Sequence, residues 1–191
     1  AGGPYYPVKK GRWDGKTSSA WRVESNLPPA NSTVDQLLSL FVSKGLSLHD
    51  LVALSGAHSI GFAHCKHFLS RLYSYDRRGG PDPAIDLRLL KALKLSCPPL
   101  GGNSDVVAPL DVNTPFLLDN VYYANLEARM GVLGTDQALF ADVRTRPVAQ
   151  AMAANRSLFF ERFAASMDRM GSIGVKRGRK HGERRKDCSL H

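Results

Sequence analysis

The run Leu51-Val52-Ala53-Leu54 passes directly into Ser55-Gly56-Ala57 and then into His58. Apolar residues in that density call for a buried helix, and three small residues after them let the chain come close to whatever packs there. A histidine delivered at that point has little bulk beside it. Two readings of the imidazole stand open: a structural histidine satisfied in the core, or a ligand offered to a large flat group.

The pattern around this run is helical, with almost no alternation of the β type. Thr33-x-x-Gln36 is a capping box opening a helix over Val34 to Lys44, closed by Gly45. Ser47-x-x-Asp50 opens the helix that leads to His58. Further helices are predicted over Ala63 to Tyr73, Asp86 to Leu95, Asp119 to Met130 and Arg146 to Asn155, the last with Pro147 in its first turn. Asp136 to Ala141 reads as one short turn. Ser157 to Met170 places Leu158, Phe159, Phe163, Met167 and Met170 on one apolar face. Gly2 to Pro29, Gly79 to Pro83 and Pro98 to Pro115 read as connections.

Composition narrows the class. A chain of 191 residues with 43% hydrophobic content suits one globular domain. No apolar run reaches the roughly 18 residues of a membrane span. Residues 1–7 have neither the basic start nor the apolar centre of a signal peptide, and no Met opens the chain, so it reads as a processed product, a fragment or an edited one. The formal charge is +9, and Lys176 to Asp187 alone hold seven basic against two acidic residues. Such a tail reads first as a solvated segment, and second as a site for anionic polymers. No aromatic interleaves its charges, so nucleic acid is not an expected partner. Cys65, Cys97 and Cys188 form no C-x-x-C pair, which argues against zinc. Asn31-Ser32-Thr33 and Asn155-Arg156-Ser157 are glycosylation acceptors and, with possible disulfides, tilt the reading to an extracellular protein.

One connection carries its own chemistry. Asp111-x-x-Thr114-x-x-Leu117-x-Asp119 gathers two carboxylates, a hydroxyl and nearby carbonyls within nine residues. That set suits a hard, oxygen-seeking cation such as calcium, outside any EF-hand pattern.

Together these segments resemble the secretory plant (class III) haem peroxidases. The resemblance is carried by Leu51 to Phe62, Gly134-Thr135-Asp136-Gln137-Ala138-Leu139-Phe140, Arg71-Leu72-Tyr73, Pro81-Asp82-Pro83, Asp119-Asn120-x-Tyr122-Tyr123-x-Asn125-Leu126 and Met167-Asp168-Arg169-Met170-Gly171. It covers nearly the whole chain, in order. It implies a mainly α haem-peroxidase helical fold with minor or no β structure. Residues 1–191 would form a single partial domain, its proximal portion, with a loop-rich opening segment (1–30) and a basic tail (176–191).

The resemblance also assigns roles. His58 becomes the axial ligand of haem b, and Asp136 the carboxylate that orients it and strengthens its donation. Read from its own surroundings Asp136 is a helix N-cap, and the two roles are compatible. Ser59, Asp111, Thr114, Leu117 through its carbonyl, and Asp119 would bind one calcium ion. Cys65 and Cys97 would form a disulfide, leaving Cys188 without a partner. Pro28, in Leu27-Pro28-Pro29, would lie where small phenols dock.

Departures and gaps accompany the match. Leu110 stands where some members have an aromatic beside the imidazole, and His67 where a substrate-edge aromatic is common. The family's distal histidine and arginine belong to an Arg-x-x-aromatic-His motif, and none of the six histidines here stands in one. The expected activity is therefore reduction of hydrogen peroxide coupled to oxidation of phenolic donors, with the isolated chain catalytically incompetent. The alternative is a truncated, non-catalytic protein that binds haem or calcium and attaches to anionic cell-wall polymers through its tail. Either would act as a monomer in the apoplast or vacuole, away from membranes and nucleic acid.

Overall fold

The computed structural model describes residues 1–76, 79–99, 105–187 and 189. Cys188 lies outside the described residues, as do residues 100–104 of the long connection. Ten helices and one small sheet are formed among the described residues: α1 (Trp21–Glu24), α2 (Val34–Ser43), α3 (Leu48–Ser55), α4 (Leu69–Tyr73), α5 (Leu87–Ser96), α6 (Val121–Glu127), α7 (Gly134–Ala141), α8 (Arg146–Ala154), α9 (Arg156–Met170) and α10 (Gly178–His181), with strands β1 (Phe62–His64) and β2 (Val107–Pro109). The chain is mainly α, as its sequence pattern predicts. No single helix among the described residues is long and apolar enough to cross a membrane.

Both capping boxes form. The Thr33 hydroxyl accepts from the Gln36 amide and the Gln36 side chain accepts from Thr33 N, while Ser47 and Asp50 do the same for α3. These reciprocal bonds satisfy amides that would otherwise lack partners at the helix starts. Gly45, at φ 76°, provides the left-handed turn between α2 and α3 that a side chain would strain.

Asp50 does more than cap. Its carboxylate also accepts from the Ser166 hydroxyl at 2.6 Å and from Arg169 Nε at 2.7 Å, both on α9. Burial alone would raise its pKa, but the donors Arg169, Ser166 and Ser47 outweigh that and hold it well below the usual carboxylate range. The start of α3 is thereby tied to the end of α9.

Two apolar clusters make the core. One joins α3, α6, α8 and α9 through Leu51, Val52, Tyr122, Tyr123, Leu126, Met152, Phe159 and Phe163. The other joins α4, α5 and the sheet through Phe68, Leu72, Leu89, Leu90, Leu93 and the Cys65–Cys97 disulfide. Met170, expected on the buried face of α9, sits at its margin and is substantially exposed.

The expected helix over Ala63 to Tyr73 is only partly realised, since α4 occupies its last five residues. Residues Phe62–His64 instead pair antiparallel with Val107–Pro109, Ala63 opposite Ala108. Only Ala63 of the three is buried, so the local period is two. Cross-strand pairing and the disulfide at Cys65 override the helical preference of this stretch. At the other end of the chain, Trp13 pairs with Lys176 and Asp14 with Glu183, which ties the opening segment to the basic tail.

Candidate active site

His58 sits in a single 3₁₀ turn, Gly56–Ser59, that continues α3. Gly56 is required there by contact rather than by backbone angle: a Cβ would lie 2.5 Å from the Tyr123 hydroxyl and 2.8 Å from Phe159 Cζ. The Tyr123 hydroxyl donates to the Val52 carbonyl at 2.9 Å, which holds the last turn of α3 against α6. The small triplet in the sequence thus serves close packing just before the histidine.

His58 Nδ1 lies 2.9 Å from Asp136 Oδ1. The two residues are 78 apart in sequence. Asp136 is not an N-cap; Leu133 holds that position and Asp136 falls at the third residue of α7, still near the positive end of the helix dipole. Asp136 is buried, whereas 38% of the His58 side chain remains accessible. No described residue hydrogen-bonds the other ring nitrogen, Nε2. Burial by itself would lower the His58 pKa, but the charge and hydrogen bond of Asp136 prevail and raise it above the ordinary 6.5. With Nδ1 held by a carboxylate, the imidazole has one nitrogen fixed and the other available, as a metal-binding histidine requires.

A third residue joins the pair. The Tyr122 hydroxyl donates to the same Asp136 Oδ1, also at 2.9 Å. Burial first, and the neighbouring Asp136 charge second, push the phenol well above its usual pKa of 10, so it stays protonated as a donor. Asp136 Oδ2 is buried with no partner among the described residues.

Next to His58, Ser59 is fully buried. Its hydroxyl donates to the Leu117 carbonyl and accepts from Asp119 N, each at 3.0 Å. Thr114 Oγ1 stands 3.2 Å from both Asp111 Oδ2 and Asp119 Oδ1. Asp111 Oδ1 accepts from the Asn113 and Thr114 amides and, at 2.7 Å, from Asn125 Nδ2. All five residues expected around a cation are therefore adjacent. Two buried carboxylates share one hydroxyl here, and their hydrogen-bond donors among the described residues are all neutral. That is a donor set for a hard cation. No group of three or more His, Cys, Asp or Glu side chains that could hold a metal ion is found among the described residues.

Elsewhere, Cys65 and Cys97 form the expected disulfide, 5.7 Å between Cα atoms. Pro28 lines a surface groove with Leu27, Pro29, Thr33, Gln36 and Leu40, and His58 is not part of that groove.

The sequence reading missed Tyr122 and Asn125. Both lie in a segment it singled out, and a tyrosine on a core-facing helix must find a partner for its hydroxyl. Which partner depends on contacts between α6 and α7 that no local pattern encodes.

Comparison with known proteins decides the family. The family model described as Peroxidase matches residues 1–155. The chain belongs to the peroxidase family. It is 61% identical over 190 residues to Peroxidase 19 of Arabidopsis thaliana, a match covering 100% of the chain and 55% of that relative. Peroxidase 41 and Peroxidase 51 of the same plant are each 44% identical, over 187 and 190 residues, covering 98% of the chain and 56% of each relative. The chain thus spans about half the length of the curated relatives it matches.

Proposed function

We propose that this chain is the proximal half of a secreted plant haem peroxidase, with His58 as the axial ligand of haem b and Asp136 as its orienting partner. The observation that carries the reading is the His58 Nδ1–Asp136 Oδ1 contact of 2.9 Å, with the carboxylate buried and no partner for Nε2 among the described residues. Bound haem would supply the iron that cleaves the peroxide O–O bond and is then reduced by a phenolic donor.

The chain's own residues do the rest of the proximal work. Asp136 keeps the His58 proton on Nδ1, so that Nε2 presents its lone pair. Gly56, Tyr123 and Phe159 hold the turn that carries the ring. Ser59, Asp111, Thr114, Leu117 and Asp119 would hold calcium and fix the far side of that turn. Proton transfer to and from peroxide needs a base and a cation on the opposite face, which the motifs of these 191 residues do not supply. The chain by itself should therefore bind haem and turn over slowly. Pro28 would border the donor's approach, and the basic tail would favour anionic cell-wall polymers over neutral ones.

Haem titration into the chain tests this directly. A Soret band that disappears in His58→Ala, with phenol oxidation near background, is the expected result. A Soret band indifferent to His58→Ala would overturn the ligand assignment, and turnover at the rate of longer relatives would overturn the division of labour. Calcium titration by calorimetry should show one site, weakened at least tenfold in Asp119→Asn; equal affinity in the variant would remove the loop from the cation site.

A further inference from the structure

Resting on the assignment of His58 as axial ligand, we propose that Tyr122 is a positioning residue. It limits how strongly Asp136 draws the Nδ1 proton of His58, and so sets how much electron density Nε2 gives to a bound metal.

The geometry is a competition for one atom. Asp136 Oδ1 receives both the His58 Nδ1 contact and the Tyr122 hydroxyl, each at 2.9 Å. Oδ2 has no partner among the described residues, so these two donors share the charge of a buried carboxylate. Every donor to Oδ1 reduces that oxygen's pull on the other. Tyr122 and Asp136 are 1% and 2% exposed, so solvent does not stand in for either. The Tyr122 ring is also fixed. It meets the His58 ring edge-on, 6.4 Å between centroids at 82°, and Tyr123 at 4.9 Å and 75°. Its hydroxyl therefore stays aimed at Asp136.

Removing that hydroxyl frees Oδ1 for His58 alone. The Nδ1 proton moves toward the carboxylate, the imidazole gains anionic character, and its bond to iron strengthens. Tyr73 provides a control outside the site, because its hydroxyl donates to the Cys97 carbonyl at 2.9 Å and touches neither Asp136 nor the histidine turn.

The test uses the haem-loaded chain in its ferrous state. In Tyr122→Phe the iron–histidine stretching band should move to higher frequency and the reduction potential should fall relative to wild type. In Tyr73→Phe neither should move. Site-specific 3,5-difluorotyrosine at position 122 keeps the ring and strengthens the donor, so both shifts should reverse; this variant carries the test if Tyr122→Phe does not fold. Unchanged band and potential in either Tyr122 variant, with the wild-type band present, would overturn the role of Tyr122 and leave the ligand assignment standing. A wild-type band absent, or one that survives His58→Ala, would overturn the ligand assignment, and the role of Tyr122 with it.

Discussion

Gly56→Ala probes the packing that holds the histidine turn. Gly56 has φ −61° and ψ −11°, an ordinary right-handed conformation that alanine adopts freely. By backbone entropy alone the substitution should stabilise by about 0.4–1 kcal/mol. Contact decides otherwise. The added methyl would overlap Phe159 Cε2, and would stand 2.5 Å from the Tyr123 hydroxyl and 2.8 Å from Phe159 Cζ. Carbon atoms rest at about 3.5–4.0 Å, so the ring or the turn must move by most of an ångström. Phe159 is fully buried, with Tyr123 at 5.2 Å and Phe163 at 5.6 Å between ring centroids, and has no room to retreat. Overpacking of this kind costs about 1–3 kcal/mol, and two obstructing groups put the cost at the upper end.

The expected net loss is about 2–2.5 kcal/mol, or about 4–10 °C in thermal midpoint for a chain of this size. Urea and thermal unfolding followed by circular dichroism measure it. A double-mutant cycle with Tyr123→Phe isolates one of the two causes, since that change removes the obstructing oxygen. The two substitutions should couple by at least about 0.5 kcal/mol, the double variant being less destabilised than the sum. A Gly56→Ala midpoint equal to or above wild type would refute the packing argument, and strict additivity would refute the part assigned to Tyr123.

Two further outcomes follow from the ties around this turn. Asp50→Asn should destabilise by about 2–4 kcal/mol at pH 7, because Arg169 and Ser166 lose a buried carboxylate partner. Since folding lowers the Asp50 pKa, its contribution is present above the unfolded value of about 3.9 and is lost as pH falls below it. The gap between wild type and variant should thus narrow on acidification; a gap constant from pH 7 to pH 3 would contradict the linkage. Cys65→Ser/Cys97→Ser should lower stability by about 2–4 kcal/mol, and a reductant should reproduce the loss in wild type while leaving the double variant unmoved.

Local chemistry made much of the helical frame legible. Thr33–Gln36 and Ser47–Asp50 are short-range patterns, and both boxes form where the side chains require. The helix expected over Ala63 to Tyr73 forms only from Leu69, because its first residues pair with a strand more than forty residues downstream that no local pattern announces. The site divides the same way. His58 stands out from its neighbours, and the Asp111–Asp119 loop from its density of oxygen donors. Asp136 was found through family resemblance alone, since a contact between residues 78 apart is set by how α7 packs, not by any spacing. Its N-cap reading failed for a related reason. The cap lies three residues earlier than the N-cap reading of Asp136 places it, at Leu133, which offers no side-chain bond.

The same helix, α6, serves both candidate sites. Its start follows Asp119, whose Oδ1 accepts from Val121 N at 2.9 Å. Tyr122 and Asn125, three residues apart, lie on one face of it. The first donates to Asp136 beside the histidine, the second to Asp111 in the candidate cation loop. Ser59 closes the circuit from the other side, because it follows His58 directly and bonds both Leu117 and Asp119. A cation drawn into the loop would neutralise two buried carboxylates and fix the start of α6. The same helix carries the Tyr122 hydroxyl, which bonds Oδ1 of Asp136 alongside His58. The loop and the histidine are therefore linked twice, once through the adjacent peptide and once through α6.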